Sequence, residues 1–377
     1  MPSQMGDFHV NGRMMRYSLF APRLYNLCVA NGFEPGRIMP SRAFCSDENQ
    51  GYPIILMAKH FGIFPFDHGR VGGIVSTFRH GPHAHHGKDL VIVQASHVGY
   101  DPETGRFGTY RRPRMDGEPH TTSCGKIGAV MEWYQGEYAF ARDHIAFARM
   151  DGQAVVVIDN RLLDAGREEG LFLNLDRFIA ATAEGQRPDP CRVFSTARAY
   201  PVHSDLAARL PESVFQSDRR KPMGDRLTAD LFGFRRRIEE AVEGHDQLEH
   251  NLSQSMPHIV TSPHSALAAA QANTQIEFDR TYRSILLDPA YQGRNLAFVS
   301  GINIDISRHQ GQLFPLTKFV PWAAYFQTRQ GERRVLEQDD LLAALNAQSA
   351  ENPDQIELDG AISEMEKMPE VMIEVDA

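Results

Sequence analysis

Cysteine is scarce in this chain. There are four in 377 residues, Cys28, Cys45, Cys124 and Cys191, and no two form a CxxC pair. A disulfide-stapled scaffold is a short chain densely supplied with cysteine, so that class is excluded. Long apolar runs are missing as well. No stretch approaches the ~18 consecutive apolar residues of a membrane-spanning helix, and the opening "MPSQMGDFHVNGRMMRYS" lacks the apolar region of a signal peptide. Positive charge is not in excess either: 39 Lys and Arg face 48 Asp and Glu, for a net charge of −9. Bulk binding to nucleic acid or to an anionic membrane is not expected of such a surface. The cytoplasm is the expected compartment, or an organellar stroma if a transit segment has been trimmed.

What is present is ordinary globular material, 42% hydrophobic and 23% charged, and long enough for a real core. "RYSLFAPRLYNLCVANGF", from Arg16, has helical apolar spacing and a stop at Asn31-Gly32; Cys28 inside it reads as core. "RIMPSRAFCSDENQ" reads as a strand running out into a loop at Cys45. "YPIILMAKHFG" is a buried helix or strand, and its period does not decide between them. "DLVIVQASHVG" is the clearest strand, apolar almost throughout as a central strand covered on both faces would be, and it stops at His97 to Gly99. "TTSCGKIGAVMEWYQGEYAFARDHIAFARM" reads as a loop entering a long helix, with Thr121 to Ser123 as caps. "QAVVVIDNRLL", "NLAFVSGINIDIS" and "KFVPWAAYFQTRQG" read as strands. "GDRLTADLFGFRRRIEEAVEGHDQLEHNLSQ" and "SALAAAQANTQIEFDRTYRSILL" read as helices. Strands alternating with helices predict an α/β fold. We expect a single domain over residues 10–345, a surface loop at Ala183–Pro190 and an acidic tail over 346–377.

Three residues share a telling context. Cys45 follows a strand-like stretch, His97 ends the strongest strand, and Cys124 sits in a Thr/Ser-rich loop before a helix. Sites in open α/β sheets gather beyond the carboxyl ends of strands. A helix N-terminus favours the thiolate, which is the form that binds metal. Two thiolates and an imidazole suit zinc, with a fourth position left for water. The spacing matches no short zinc motif, so a Cys124–His97 nucleophilic pair and unrelated packing stay open at this point. Polar neighbours around both thiols favour zinc, as does Asp47, two residues after Cys45, where it can reach the metal or its water.

"FCSDENQGYP", "SHVGYDPETGRFG" and "HTTSCGKIGAVMEWY" resemble the LCIB-type proteins, also called theta-class carbonic anhydrases. The resemblance is strong over roughly residues 10–150 and looser to about 345. It implies a beta-carbonic-anhydrase-like fold, a central mixed or parallel sheet flanked by helices, and a homodimer. It implies one Zn2+ per chain on Cys45, His97 and Cys124, with Asp47 as catalytic aspartate. The implied reaction is reversible hydration of carbon dioxide to bicarbonate by a zinc-bound hydroxide. The alternative is a catalytically silent LCIB-like zinc protein, a scaffold or partner in inorganic-carbon handling, because members of this superfamily with intact ligands are inactive. One departure matters. Beta-class enzymes read Cys-x-Asp-x-Arg, the arginine keeping the aspartate off the metal; here that position is Asn49. Arg79 is the first candidate to replace it, then Arg70, then Arg42.

Other residues have weaker claims. "RHGPHAHHG" offers His80, His83, His85 and His86 as proton shuttles, with His83 preferred, against the bland reading of an exposed loop. His68 is a second shuttle candidate. Phe64 and Phe66 could wall a carbon dioxide pocket, although such aromatics are more often core. Asp101 could accept the far N–H of a ligand histidine, or simply cap a turn before Pro102. Asp305 in "NIDISRH" is a strand-end aspartate with no further support, and Cys191 reads as structural.

Overall fold

A computed structural model describes residues 8–75, 89–111, 121–216, 219–239, 246–307 and 316–369. Met15–Arg16 (β1) leads into helix Tyr17–Ala30 (α1). The helix closes where Asn31 N–H returns to the Leu27 and Cys28 carbonyls and Gly32 takes a left-handed φ of 83°. Ile38–Ala43 (β2) is followed by helix Gly51–Phe61 (α2). The ambiguous "YPIILMAKHFG" is therefore a helix: Pro53, Met57 and Phe61 repeat every four residues and are buried, and Gly62 stops it at φ 74°. Phe66–Asp67 (β3) and the long Asp89–Asp101 (β4) follow. Next come Gly125–His144 (α3), Ile145–Met150 (β5), Gln153–Asp159 (β6) and Ala197–Pro201 (β7). The last third holds Ser265–Leu287 (α4), Leu296–Ile306 (β8), Leu316–Gln327 (β9), Arg333–Leu336 (β10), Gln338–Asn346 (α5) and Leu358–Glu366 (α6).

The described residues fall into two compact units. One unit takes those of Phe8–Gly105, Thr109–Thr121 and Thr274–Ala377, the other those of Arg106–Gly108 and Thr122–Asn273. Topology gives the reason. β4 and β8 are parallel neighbours, so a crossover must join them. Here that crossover has grown into a unit of its own.

The first unit is a mixed sheet in the order β1-β9-β8-β4-β2-β3, with β10 beside β9. β3, β2, β4 and β8 run parallel; β9 is antiparallel to β8. The strands bury alternate residues on opposite faces. Val91, Val93, Ala95, Ala297 and Val299 pack against Phe20 and Leu24 of α1, Met57 and Phe61 of α2, and Leu341 and Leu345 of α5. Leu90, Ile92, Leu296 and Phe298 pack against Phe278, Tyr282 and Ile285 of α4. Each of these Val, Leu, Ile, Met and Phe side chains contributes roughly 1.5–3 kcal/mol of burial, and double cover explains the unbroken apolar run Leu90–Val93. The acidic tail is tied to this unit before α6: Asn352 Nδ2 donates to the His60 carbonyl at 2.9 Å and Ile356 N–H to the Lys59 carbonyl at 2.9 Å.

The second unit is built on an antiparallel sheet, Arg192–Val193, β7, β6, β5 and Lys221–Pro222. Two expectations fail here. The helix predicted to run on to Met150 ends at His144, because Ile145–Met150 pairs with β6 across a two-residue Asp151-Gly152 turn, both residues at positive φ. The stretch "GDRLTADLFGFRRRIEE…" is not one helix: Phe232–Arg235 is a strand paired with Gly170–Leu173, and Asp246–Ser253 is a helix. Ala183–Pro190 is a loop. No helix among the described residues is long and apolar enough to cross a membrane.

Candidate metal centre

The sheet register aims two of the candidate ligands. β2 pairs in parallel with β4, Ala43 opposite Gln94, so the chain leaving β2 heads for the level of His97. Cys45 lies just past that exit. His97 lies near the end of β4 with its side chain fully buried. Cys124 follows the short strand Thr121–Thr122 and is the N-cap residue of α3, a position whose helix dipole favours an anion. Cys45 Sγ, a His97 ring nitrogen and Cys124 Sγ all lie within 4.8 Å of one another, and all three residues are buried. Two thiols and an imidazole converging out of water are a donor set that fits a tetrahedral borderline ion such as zinc.

The surroundings suit ligation. Gly72 N–H donates to Cys45 Sγ at 3.2 Å, the type of bond that supports a thiolate. His97 Nδ1 lies 2.8 Å from Asp305 Oδ2. A carboxylate there accepts a hydrogen bond from Nδ1–H and leaves Nε2 with its lone pair. Asp305 is itself held from two more sides: Gln50 Nε2 donates to its two oxygens at 3.2 and 3.0 Å, and Thr317 Oγ1 donates at 2.9 Å. Gln50 Oε1 accepts from Asn303 Nδ2 at 2.6 Å, and Asn303 Oδ1 from the Tyr17 hydroxyl at 2.6 Å. The line Tyr17–Asn303–Gln50–Asp305–His97 thus fixes the ring through buried groups. Burial pushes the Asp305 carboxyl above its usual range, while His97, Thr317 and Gln50 pull it back.

Asp47 stands on the ligand side of His97, its Oδ2 3.8 Å from Nε2. Its other contact is local: Oδ1 accepts from Asn49 N–H at 3.1 Å, capping the short 3-10 turn Glu48–Gln50. Burial raises this carboxyl to about 6 against the opposing pull of His97 and Asn49 N–H. A bound cation would draw it down again. So the residue that replaces the expected arginine holds Asp47 through its backbone. Of the candidate arginines, Arg42 pairs with Asp67 at 2.8 Å, Arg70 is solvent-exposed, and Arg79 lies outside the described residues.

The remaining expectations divide. His83 lies outside the described residues. His68 is buried, its Nδ1 2.5 Å from Ser41 Oγ and its ring edge-on to Phe66. Phe64 is 67% exposed among the described residues, just after the Gly62 helix stop. Asp101 accepts from Glu103 N–H and Thr104 Oγ1, the turn role, and the place beside His97 goes to Asp305. The parallel register explains this correction: His97 lies opposite Asn303, which brings Asp305 alongside on the same face. Gln50, Thr317, Asn303 and Tyr17 were not anticipated. The signal for the strand pair was there, since "NID" sets two polar side chains inside an otherwise apolar strand. Cys28 is core, and the Cys191 thiol donates to the Ala199 carbonyl, away from the ligand set.

No family model and no curated protein matches this chain. Solved structures do. The chain is similar to PtLCIB4, a homolog of the limiting CO2-inducible protein LCIB, at 12% identity and a TM-score of 0.51, covering 90% of this chain and 99% of that one. Limiting CO2-inducible protein LCIB itself is similar at 13% identity and a TM-score of 0.44, covering 87% of this chain and 96% of that one. At such identity the likeness defines the fold: it is the LCIB-type mixed α/β fold, carrying a buried Cys-His-Cys group able to hold a metal ion.

Proposed function

We propose that this chain is an LCIB-type, theta-class carbonic anhydrase, binding one zinc ion through Cys45, His97 and Cys124 and interconverting carbon dioxide and bicarbonate. The observation that carries the reading is the convergence of two thiols and an Asp305-oriented imidazole within 4.8 Å, on a fold shared with PtLCIB4. When bound, zinc supplies a Lewis acid that brings the ionisation of water to near neutral pH. The protein's own part is orientation and proton handling. Asp305 holds the Nδ1 proton of His97. Asp47 Oδ2, beside the ligand set, accepts a hydrogen bond from the attacking oxygen and thereby aims it. A homodimer, and a place in the cytoplasm or an organellar stroma, belong to the same proposal.

A second reading has its own support. Asp47 is 3.8 Å from His97 Nε2 and is held by a backbone N–H rather than by a guanidinium. A carboxylate so placed could complete the coordination and close the site, giving a silent zinc protein that acts as a scaffold in inorganic-carbon handling. Stopped-flow carbon dioxide hydration on the zinc-loaded chain, near pH 7 and at about pH 8.5, separates the two. The enzyme reading expects activity that rises with pH and falls at least ~10-fold in Asp47→Ala with zinc retained. Zinc bound with no hydration at either pH, in wild type and variant alike, establishes the closed site instead.

A further inference from the structure

The segment Gly69–Val75 passes over both the first ligand and the central strand. Gly72 N–H reaches Cys45 Sγ at 3.2 Å. Gly73, at φ +76°, lies so close to β4 that a Cβ there would stand 2.4 Å from the Ala95 carbonyl oxygen, two residues before His97. Only glycine fits that approach. The Gly73 carbonyl accepts from Gln94 Nε2 at 3.2 Å. Val75 is then gripped at both of its backbone groups. Its N–H donates to Glu277 Oε2 at 2.8 Å, and its carbonyl accepts from Arg280 Nη2 at 2.5 Å. Glu277 and Arg280 sit one turn apart on α4 and are joined by two bonds, Nη2–Oε2 at 2.6 Å and Nε–Oε1 at 3.1 Å.

This is a costly device for packing alone. Glu277 is completely buried, and a buried carboxylate is tolerated only when paired and hydrogen-bonded. The pair directs a donor and an acceptor at a single residue of the segment that covers Cys45. We propose that Glu277 and Arg280 are positioning residues of the metal centre. They act through the Gly72–Val75 backbone to hold Gly72 N–H on the Cys45 sulfur, which fixes the direction of that donor. This inference rests on the reading of Cys45, His97 and Cys124 as metal ligands.

The test uses the full chain with Co2+ as the probe. Three readouts are taken: affinity by chelator competition, the sulfur-to-cobalt charge-transfer band, and hydrogen exchange of residues 69–75. Arg280→Met and Glu277→Gln are expected to weaken Co2+ binding by ~10-fold or more, to shift the band and to speed exchange in the segment. Arg280→Lys should recover part of the loss. Arg283→Met, which removes an exposed pair with Asp279 on the same helix, should change none of the three. Because Glu277→Gln could compromise folding, Arg280→Met on the half-exposed side of the pair carries the test alone if needed. Wild-type affinity and band in Arg280→Met, whether or not exchange speeds up, overturns the clamp and leaves the metal site standing. Wild-type protein that binds no Co2+ overturns the metal reading, and the clamp with it.

Discussion

At the scale of the residue, Asp305 decides how His97 is presented. Its carboxylate takes three sets of donors, from His97, Gln50 and Thr317, so it has one orientation available rather than several. Asp305→Asn keeps the volume but turns a donor towards Nδ1. We expect metal affinity to fall by ~10–100-fold with the fold retained, read by chelator competition alongside circular dichroism; unchanged affinity would deny Asp305 its role. The three proposed ligands were legible chiefly through the resemblance carried by the motifs around them; the polar neighbours of the two thiols favoured zinc but left a nucleophilic pair and unrelated packing open. The partner of His97 was not. "YDPETG" looked better suited to supply it than the strand-end Asp305, and only strand register tells Asp101 from Asp305.

Among the elements, β4 matters most, since it carries His97 and the centre of both cores. Ile92 is fully buried between β4 and α4. Ile92→Ala should cost about 2–5 kcal/mol by denaturant titration; a loss below about 1 kcal/mol would mean that face is not close-packed. Strands read well where burial on both faces leaves an apolar run, as at Leu90–Val93 of β4, Leu296–Val299 of β8 and Phe319–Phe326 of β9. Reading failed where a short element is specified by its partner. Ile145–Met150 has helical composition but is claimed by the Asp151-Gly152 turn, and Phe232–Arg235 is a strand only because Gly170–Leu173 pairs with it. For α2 the period was ambiguous, and Gly62 with the buried four-residue repeat settled it.

For the molecule as a whole, the crossover between β4 and β8 was invisible in composition, since its residues are as globular as the rest. Stability carries a further consequence of the fold. His60 is buried at the end of α2 where the tail docks, and burial, with Lys59 adding to it, lowers its pKa from 6.5 to about 4. The folded chain therefore binds fewer protons than the unfolded chain between those two values. Stability should fall as pH drops from 6.5 towards 4, by at most about 1.4 kcal/mol per pH unit from this group. His60→Gln should flatten that part of the profile; an identical slope in the variant would remove His60 as its source.

The central claim is that Cys45, His97 and Cys124 form one metal centre. Zinc content of the purified full chain, with X-ray absorption at the zinc edge, tests it most directly. We predict about one zinc per chain, with two sulfur neighbours and at least one nitrogen, and loss of the metal in Cys124→Ser. Zinc well below one per chain after gentle purification, or a full complement that survives Cys124→Ser with its sulfur signal unchanged, would contradict the account.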